Sequence, residues 1–206
     1  MLEKNLSLEE TFDLAVEKHK LKHFEVAEEL YNKILIKKPN HIQTIFLLGT
    51  LFVEINNLKS AINFFQRAIR LQPKHALAYS NLGMIYMELK NFASAVVCLK
   101  NAIIINPDLT NTRNTLCRLL RFLRPTELSE KVQQDFKDLF LILYKRNDVD
   151  HNDIFSNAKK VLFGEKNYKE ILKKEPKPPL LQNINIKNLI KEDLFLLMMQ
   201  KSLIVD

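Results

Sequence analysis

Glycine is scarce in this sequence: Gly49, Gly83 and Gly164 are the only three in 206 residues. Each stands alone, so there is no glycine-rich turn to cradle a phosphate or a nucleotide-like cofactor. A chain so poor in glycine cannot form many tight turns, which leaves an all-α reading. Tryptophan is absent, and cysteine is limited to Cys98 and Cys117. That pair lacks metal-ligand spacing and reads as two small buried thiols of a cytoplasmic protein rather than a disulfide. Long apolar runs are missing too. The longest, Leu139 to Tyr144 and Leu194 to Met199, are six residues each, against the roughly 20 needed to span a bilayer. Met1 to Asn5 does not lead into a signal-peptide core. No Ser/His/Asp or Cys/His set comes with a supporting motif, and the carboxylate pairs Glu9-Glu10 and Glu28-Glu29 fall on helices expected to be solvated. No catalytic residue, cofactor or metal is therefore expected, and the chain reads as a non-enzyme.

What is present is a pattern written twice, 34 residues apart. Leu48-Gly49, Phe52, Ala61, Phe65, Ala68 and Pro73 recur as Leu82-Gly83, Tyr86, Ala95, Leu99, Ala102 and Pro107. Self-similarity at this period marks a helical solenoid. Apolar residues from Ile45 to Phe52 and from Ala61 to Ile69 fall at helical spacing, giving two amphipathic helices per unit with a break at Asn56-Asn57. The break recurs at Lys90-Asn91. Gly49 and Ala61 are small where a larger side chain would hold paired helices apart, and Pro73 and Pro107 stop the second helix at no cost to an interior hydrogen bond. A weaker earlier copy carries Leu14-Ala15, Ala27, Tyr31, Ile34 and Pro39, with Lys18 in the aromatic place and Thr11 in that of a bulky residue. Ser7 followed by Glu10 is a capping box and predicts the first helix start. After Pro107 the pattern survives only in Leu116-Cys117 and Leu120, so Leu109 to Leu123 reads as a closing helix, ended by Pro125.

These residues resemble the tetratricopeptide repeat. The resemblance implies an all-α TPR solenoid of three helix-turn-helix repeats plus a closing helix over residues 1–124, followed by a helical extension over 125–206. It also implies a non-catalytic protein–protein interaction scaffold that binds a peptide on its concave face, where the first helices of the units line up.

The groove follows from spacing. Residues three and four apart share a helical stripe, and stepping by 34 gives four rungs: Glu9, Phe12, Val16, His19; Gln43, Phe46, Thr50, Val53; Leu77, Ser80, Met84, Met87; Asn111, Asn114, Arg118, Arg121. The expected peptide-binding groove is Phe12, Val16, Phe46, Thr50, Ser80, Asn81, Met84, Met87, Asn114, Arg118 and Arg121. Its apolar floor ends at amides and guanidiniums, which suits a peptide with apolar anchors and an acidic segment. The other reading is that the chain's own C-terminal helices cover the apolar rungs and the arginines face solvent. Repeats of the carboxylate-clamp type carry Lys and Asn on the early rungs, where this chain has Phe12, Val16 and Phe46. Asn81 is similar to the asparagine that recurs in the repeats of protein O-GlcNAc transferases, but Asp13, Leu47 and Thr115 hold the matching places, so no asparagine ladder is expected.

The net charge is +7 with a pI near 9.3. Residues 1–124 hold 17 Lys+Arg against 11 Asp+Glu, and no acid lies between Asp108 and Glu127 while Arg113, Arg118, Arg121 and Arg124 do. No nucleic-acid motif and no long basic stripe with interleaved aromatics accompanies the excess, so nucleic acid is not the expected partner. His19 and His23 are four apart but straddle a turn and lack the zinc-motif glutamate, so they read as a solvated pair. His41 and His75, 34 apart, read as turn residues.

Beyond Pro125, Leu128, Val132, Phe136, Leu139, Phe140 and Leu143 form one apolar stripe; Ile154 to Leu162 forms another, closed by Gly164. Glu175 to Pro179 reads as an extended linker. Leu189 to Met199 is apolar nearly all round and must be buried against something. The Phe136–Phe163 and Leu194–Asp206 regions resemble the connector of bacterial proteins that join tetratricopeptide repeats to a methyltransferase domain. This implies an alternative function: the substrate-recruiting half of a split or truncated methyltransferase or glycosyltransferase fusion.

Overall fold

A computed structural model describes residues 6–122 together with 138, 139, 142 and 143. The helices of the continuous range are α1 (Leu8–Lys20), α2 (Phe24–Lys37), α3 (Ile42–Glu54), α4 (Leu58–Leu71), α5 (Ala76–Glu88), α6 (Phe92–Ile105) and α7 (Thr110–Phe122). First helices start at 8, 42, 76 and 110 and second helices at 24, 58 and 92, so the 34-residue period of the sequence is the period of the structure. Two compact units divide the chain: residues 1–91 with 101–109, and residues 92–100 with 110–206.

In the first unit, each turn between paired helices is built the same way. Lys22, Asn56 and Lys90 have φ of 60°, 60° and 57°, the left-handed conformation that closes a helix. His23 N–H bonds Lys18 C=O and Lys22 N–H bonds His19 C=O. The same two bonds recur at Asn57–Phe52 with Asn56–Val53, and at Asn91–Tyr86 with Lys90–Met87. These satisfy carbonyls that a helix end leaves orphaned. Glycine is the usual residue for this cap, and the chain uses lysine or asparagine instead.

Helix starts are capped in several ways. Ser7 Oγ accepts from Glu10 N–H at 3.1 Å and the Glu10 carboxylate accepts from Ser7 N–H at 2.8 Å, which completes the capping box. Those bonds hold the Glu10 carboxyl below its usual range. Asn57 Oδ1 accepts from Ser60 N–H at 3.2 Å. On α3 and α5 the cap is an imidazole: Nδ1 of His41 and of His75 accepts from the backbone N–H of Thr44 and of Ala78, at 3.4 and 3.2 Å.

The core forms where α3 meets α4 and α1 meets α2. Ala61, Phe65 and Ala68 on α4 are fully buried, as are Ala27 and Tyr31 on α2, with Ile45, Leu48 and Leu51 facing them from α3. A Cβ on Gly49 would stand 2.7 Å from the Phe65 ring edge, so the bare glycine is what lets the two helices of this repeat close together. Arg67 on α4 donates to the Pro39 carbonyl, and Gln66 Nε2 reaches Tyr86 Oη on α5 at 3.3 Å, tying successive repeats.

In the second unit, Thr112, Arg113, Leu116 and Leu119 of α7 are buried. Positions 138, 139, 142 and 143 are helical, with Leu139 and Leu143 fully buried, in keeping with the stripe expected there. Lys100 pairs with Asp138 at 3.3 Å. Arg113 is buried rather than part of a basic face. Among the described residues no helix is long and apolar enough to cross a membrane. The boundary at 124/125, the linker at 175–179 and the helices expected around 154–164 and 189–199 lie outside the described residues.

Candidate functional site

Successive first helices meet through ring and charge contacts. The Phe12 ring of α1 meets His41 at the start of α3 edge-on, centroids 5.4 Å apart. One period later Phe46 of α3 stacks on His75 at the start of α5, with centroids 4.8 Å apart and planes 28° apart. At the other end of α1, His19 Nε2 lies 3.4 Å from Glu54 Oε1, the last residue of α3. α1 thus touches α3 near both ends of α3. Each capping imidazole does two jobs, holding its own helix start and carrying the preceding repeat's phenylalanine.

The expected groove residues of the first unit fall out as follows. Phe12, Val16, Phe46, Thr50, Asn81 and Met87 are half-buried, and Met84 is exposed. Phe46 also touches the Phe65 ring at 5.6 Å, and the Thr50 hydroxyl is spent on the Leu47 carbonyl at 2.7 Å, leaving its methyl to the groove. Ser80 is only 5% exposed and contributes almost no surface; where Phe12 and Phe46 stand in the earlier repeats, the third has this small buried hydroxyl. Leu77, 49% exposed, and Val53 extend the apolar surface. In the second unit, Asn114 and Arg118 are exposed on α7, and Arg121 lies on the last turn of that helix.

The solvated histidine pair is corrected. His23 is exposed, but His19 is 9% exposed and sits under its neighbours. Its Nδ1 is 3.2 Å from Tyr31 Oη, and its Nε2 is buried without a hydrogen bond, since the approach to Glu54 is within ion-pair distance but lacks hydrogen-bond geometry. Burial first, then the Glu54 charge, push the Tyr31 hydroxyl up to about 12, so it keeps its proton. Burial also lowers His41 and His75 below the usual imidazole value, Lys38 adding to the effect at His41, so both stay neutral and able to accept at Nδ1. An open pocket of about 370 Å³ lies at this edge, lined by Lys38, Asn40, His41, Ile42, Gln43, Gln72 and His75. No group of His, Cys, Asp and Glu among the described residues could hold a metal.

Glu54 and Glu88 were missed by the four-rung reading. They occupy one row, 34 apart and one residue beyond the rungs, and each is the last residue of its helix. The signal was in the sequence: the row holds Lys20, Glu54 and Glu88.

Paired helices stacked at a fixed period define a helical solenoid of the kind that serves as a protein-interaction scaffold. Residues 49–109 carry tetratricopeptide repeats. A tetratricopeptide-repeat family model matches residues 76–109 and a TPR-repeat model residues 49–90. Among solved structures, Pseudomonas aeruginosa pilF is similar over 82% of each chain at 19% identity, TM-score 0.54. The first TPR domain of Spaghetti (RPAP3), bound to an HSP90 peptide, is similar over 53% of this chain and 86% of its own, at 16% identity and TM-score 0.51. A Thermobaculum terrenum O-GlcNAc transferase is similar over 65% of this chain at 22% identity and TM-score 0.52, and this chain spans a quarter of its length. At these identities the likeness establishes the fold. No protein of curated function matches the sequence.

Proposed function

We propose that the protein captures an extended or helical peptide segment along the inner face formed by α1, α3 and α5. The observation that carries this reading is the exposed apolar surface of the third repeat, Leu77 and Met84, continuous in period with Phe12, Val16, Phe46 and Thr50. Unlike core positions, these side chains lie on helices whose opposite faces already supply the interior. Removing Met84 and Met87 from water yields roughly 25 cal/mol per Å², the kind of anchor that a peptide groove uses. A relative of the same fold is seen with an HSP90 peptide bound, which supports peptide as the ligand class. The second unit, taken by itself, offers Arg118 and Arg121 of α7 to an acidic peptide segment, where a desolvated guanidinium–carboxylate bond is worth about 1.5–3 kcal/mol. The working location in this reading is the cytoplasm, which the thiols Cys98 and Cys117, neither in a disulfide, favour.

A photo-crosslinking residue placed at position 84 tests the reading against one at position 36, an 80% exposed site on α2. Crosslinks to partner peptide are expected from 84 and not from 36. Equal labelling from both sites refutes the groove.

A second reading is that residues 1–124 recruit substrate for a transferase and 125–206 connect to it. The similarity to a quarter of an O-GlcNAc transferase favours it. It requires a cofactor-binding domain encoded next to this chain, in the same bacterial genome if the connector resemblance holds, and a neighbouring frame without one refutes it.

A further inference from the structure

We infer that the segment held over α3 and α5 is cationic: a peptide that sets a lysine or arginine against Glu54 and Glu88 and places apolar side chains on Thr50, Met84 and Met87. This deepens the groove reading and rests on it.

The charge distribution carries the inference. Although the whole chain is basic, α3 and α5 contain no lysine or arginine, and their only charges are Glu54 and Glu88. Each carboxylate closes its helix. The backbone carbonyls make that end negative, so an acid is disfavoured there and a cation preferred. Elsewhere the chain obeys that preference: Lys18, His19 and Lys20 end α1, Lys37 ends α2 and Arg70 ends α4. Only the two helices flooring the groove reverse it, both at the same position of the repeat.

Nothing in the first unit neutralises the pair. Glu88 makes no hydrogen bond or ion pair with any described residue, and neither glutamate has a basic residue three or four positions away on its helix. Among the described residues the ion-pair contact of Glu54 is with His19 Nε2 at 3.4 Å, itself buried and without a hydrogen bond, and the neutral Tyr31 hydroxyl lies within reach of its charge. Two carboxylates and two helix C-termini therefore add their fields at one edge of an apolar surface. Such a surface complements a cation flanked by apolar groups and repels the acidic chain end that the arginines of α7 would accept. Sites that break a local rule without compensation are where function is expected.

The experiment selects peptides from a random twelve-residue display library on the full chain and on the Glu54→Lys/Glu88→Lys chain. Affinities of the labelled winners are then measured by fluorescence anisotropy at low and high salt. Wild type is expected to enrich Lys or Arg beside Leu, Met or Phe, with affinity that weakens as salt rises. The double charge reversal is expected to weaken those peptides by at least about tenfold, roughly one charge-assisted bond, and to turn the selection towards Asp and Glu. Both substitutions are at exposed helix ends, so loss of folding does not confound the result, and an unchanged circular-dichroism spectrum checks this. Neutral or acidic winners, basic winners that bind the reversed chain equally well, or no winner at all overturn the inference. Testing the winners on Met84→Gln/Met87→Gln separates the two layers. Acidic or neutral winners that weaken there leave the groove standing and the cationic partner refuted, whereas winners indifferent to it refute the groove itself.

Discussion

Gly49→Ala adds one methyl group at the tightest point between α3 and α4. The new Cβ would stand 2.7, 2.9 and 3.0 Å from Cε1, Cδ1 and Cζ of Phe65, all inside contact distance for real Cβ atoms. Phe65 is fully buried and cannot swing into solvent. Its ring backs onto Phe46 at 5.6 Å, and Phe46 in turn stacks on His75 at 4.8 Å, so a displaced Phe65 pushes against Phe46. Forcing a methylene-sized group into such a core costs about 1–3 kcal/mol, while replacing a mid-helix glycine by alanine returns about 1 kcal/mol. The expected net is a destabilisation of up to about 2 kcal/mol, or a fall in Tm of up to about 8 °C for a chain of this size.

Urea or thermal unfolding followed by circular dichroism reads the effect, and a double-mutant cycle identifies its cause. In a Phe65→Leu background the ring edge is gone, and the same alanine should stabilise by about 0.5–1 kcal/mol through helix propensity alone. The sign of the effect therefore flips between backgrounds, giving a coupling of about 2 kcal/mol. If Gly49→Ala matches or exceeds wild type in stability, with coupling near zero, the close approach is not what selects glycine here.

Four further outcomes follow from the described contacts. His41 and His75 have imidazole pKa values lowered in the fold, so the unfolded chain binds the extra protons. Their contribution is complete above the ordinary value of about 6.5 and is lost as pH falls through the lowered values; His41→Asn/His75→Asn, which keeps a capping oxygen, should flatten the fall in Tm between pH 7.5 and 5, and an unchanged slope refutes the role. Lys22→Gly or Lys90→Gly should raise stability by up to about 1 kcal/mol, because each lysine holds a left-handed φ that costs a side chain about 1–2 kcal/mol; lower stability in denaturant melts contradicts this. Asn57→Ala removes the acceptor for Ser60 N–H and should cost about 1 kcal/mol in the same melts, no loss showing the cap to be idle. Glu54→Lys and Glu88→Lys should each stabilise by about 0.3–1 kcal/mol in low salt by suiting the helix dipole, so any binding they lose is not lost through unfolding; a lower Tm refutes the assignment of those carboxylates to unfavourable ends.

The period was legible because it is enforced by packing. Ala61, Phe65 and Ala68 recur as Ala95, Leu99 and Ala102 since each faces an equivalent partner helix, and side-chain size there is tightly constrained. The capping box at Ser7 was legible for the same kind of reason, two short side chains at fixed spacing. Three things were not. Lysine at 22 and 90 carries no left-handed signal, so the turn geometry had to be seen. Imidazole is not among the usual capping groups, so His41 and His75 read as turn residues, and their ring contacts with Phe12 and Phe46, edge-on at His41 and stacked at His75, went unnoticed. Burial of His19 depends on Tyr31, twelve residues away, a distance at which helical spacing says nothing. In the candidate site the partial or full exposure of positions 12, 16, 46, 50, 84 and 87 follows the 34-residue step, whereas Ser80 required coordinates because its burial depends on its neighbours and not on its place in the stripe.

Charge departs from the repeat pattern in two ways, and the difference between them separates architecture from function. Thr44 and Ala78 are buried at one place in α3 and α5, and Leu51 and Ile85 at another; the equivalent places in α1 hold Glu10 and Glu17, both exposed. Those carboxylates replace groups that would pack on a preceding helix, so they make the outward face of α1 a solvent surface, as the end of a stack requires. Glu54 and Glu88 are another matter. Their place in the repeat is exposed in every copy, where Lys20 would serve the helix better than either glutamate does, and packing gains nothing from the acid. A solvated face tolerates any polar residue there. The same unfavourable choice at consecutive first helices, beside exposed Met84 and Leu77, gains a physical rationale if a cation completes it, and in the proposed reading that cation is the property by which the partner can be found.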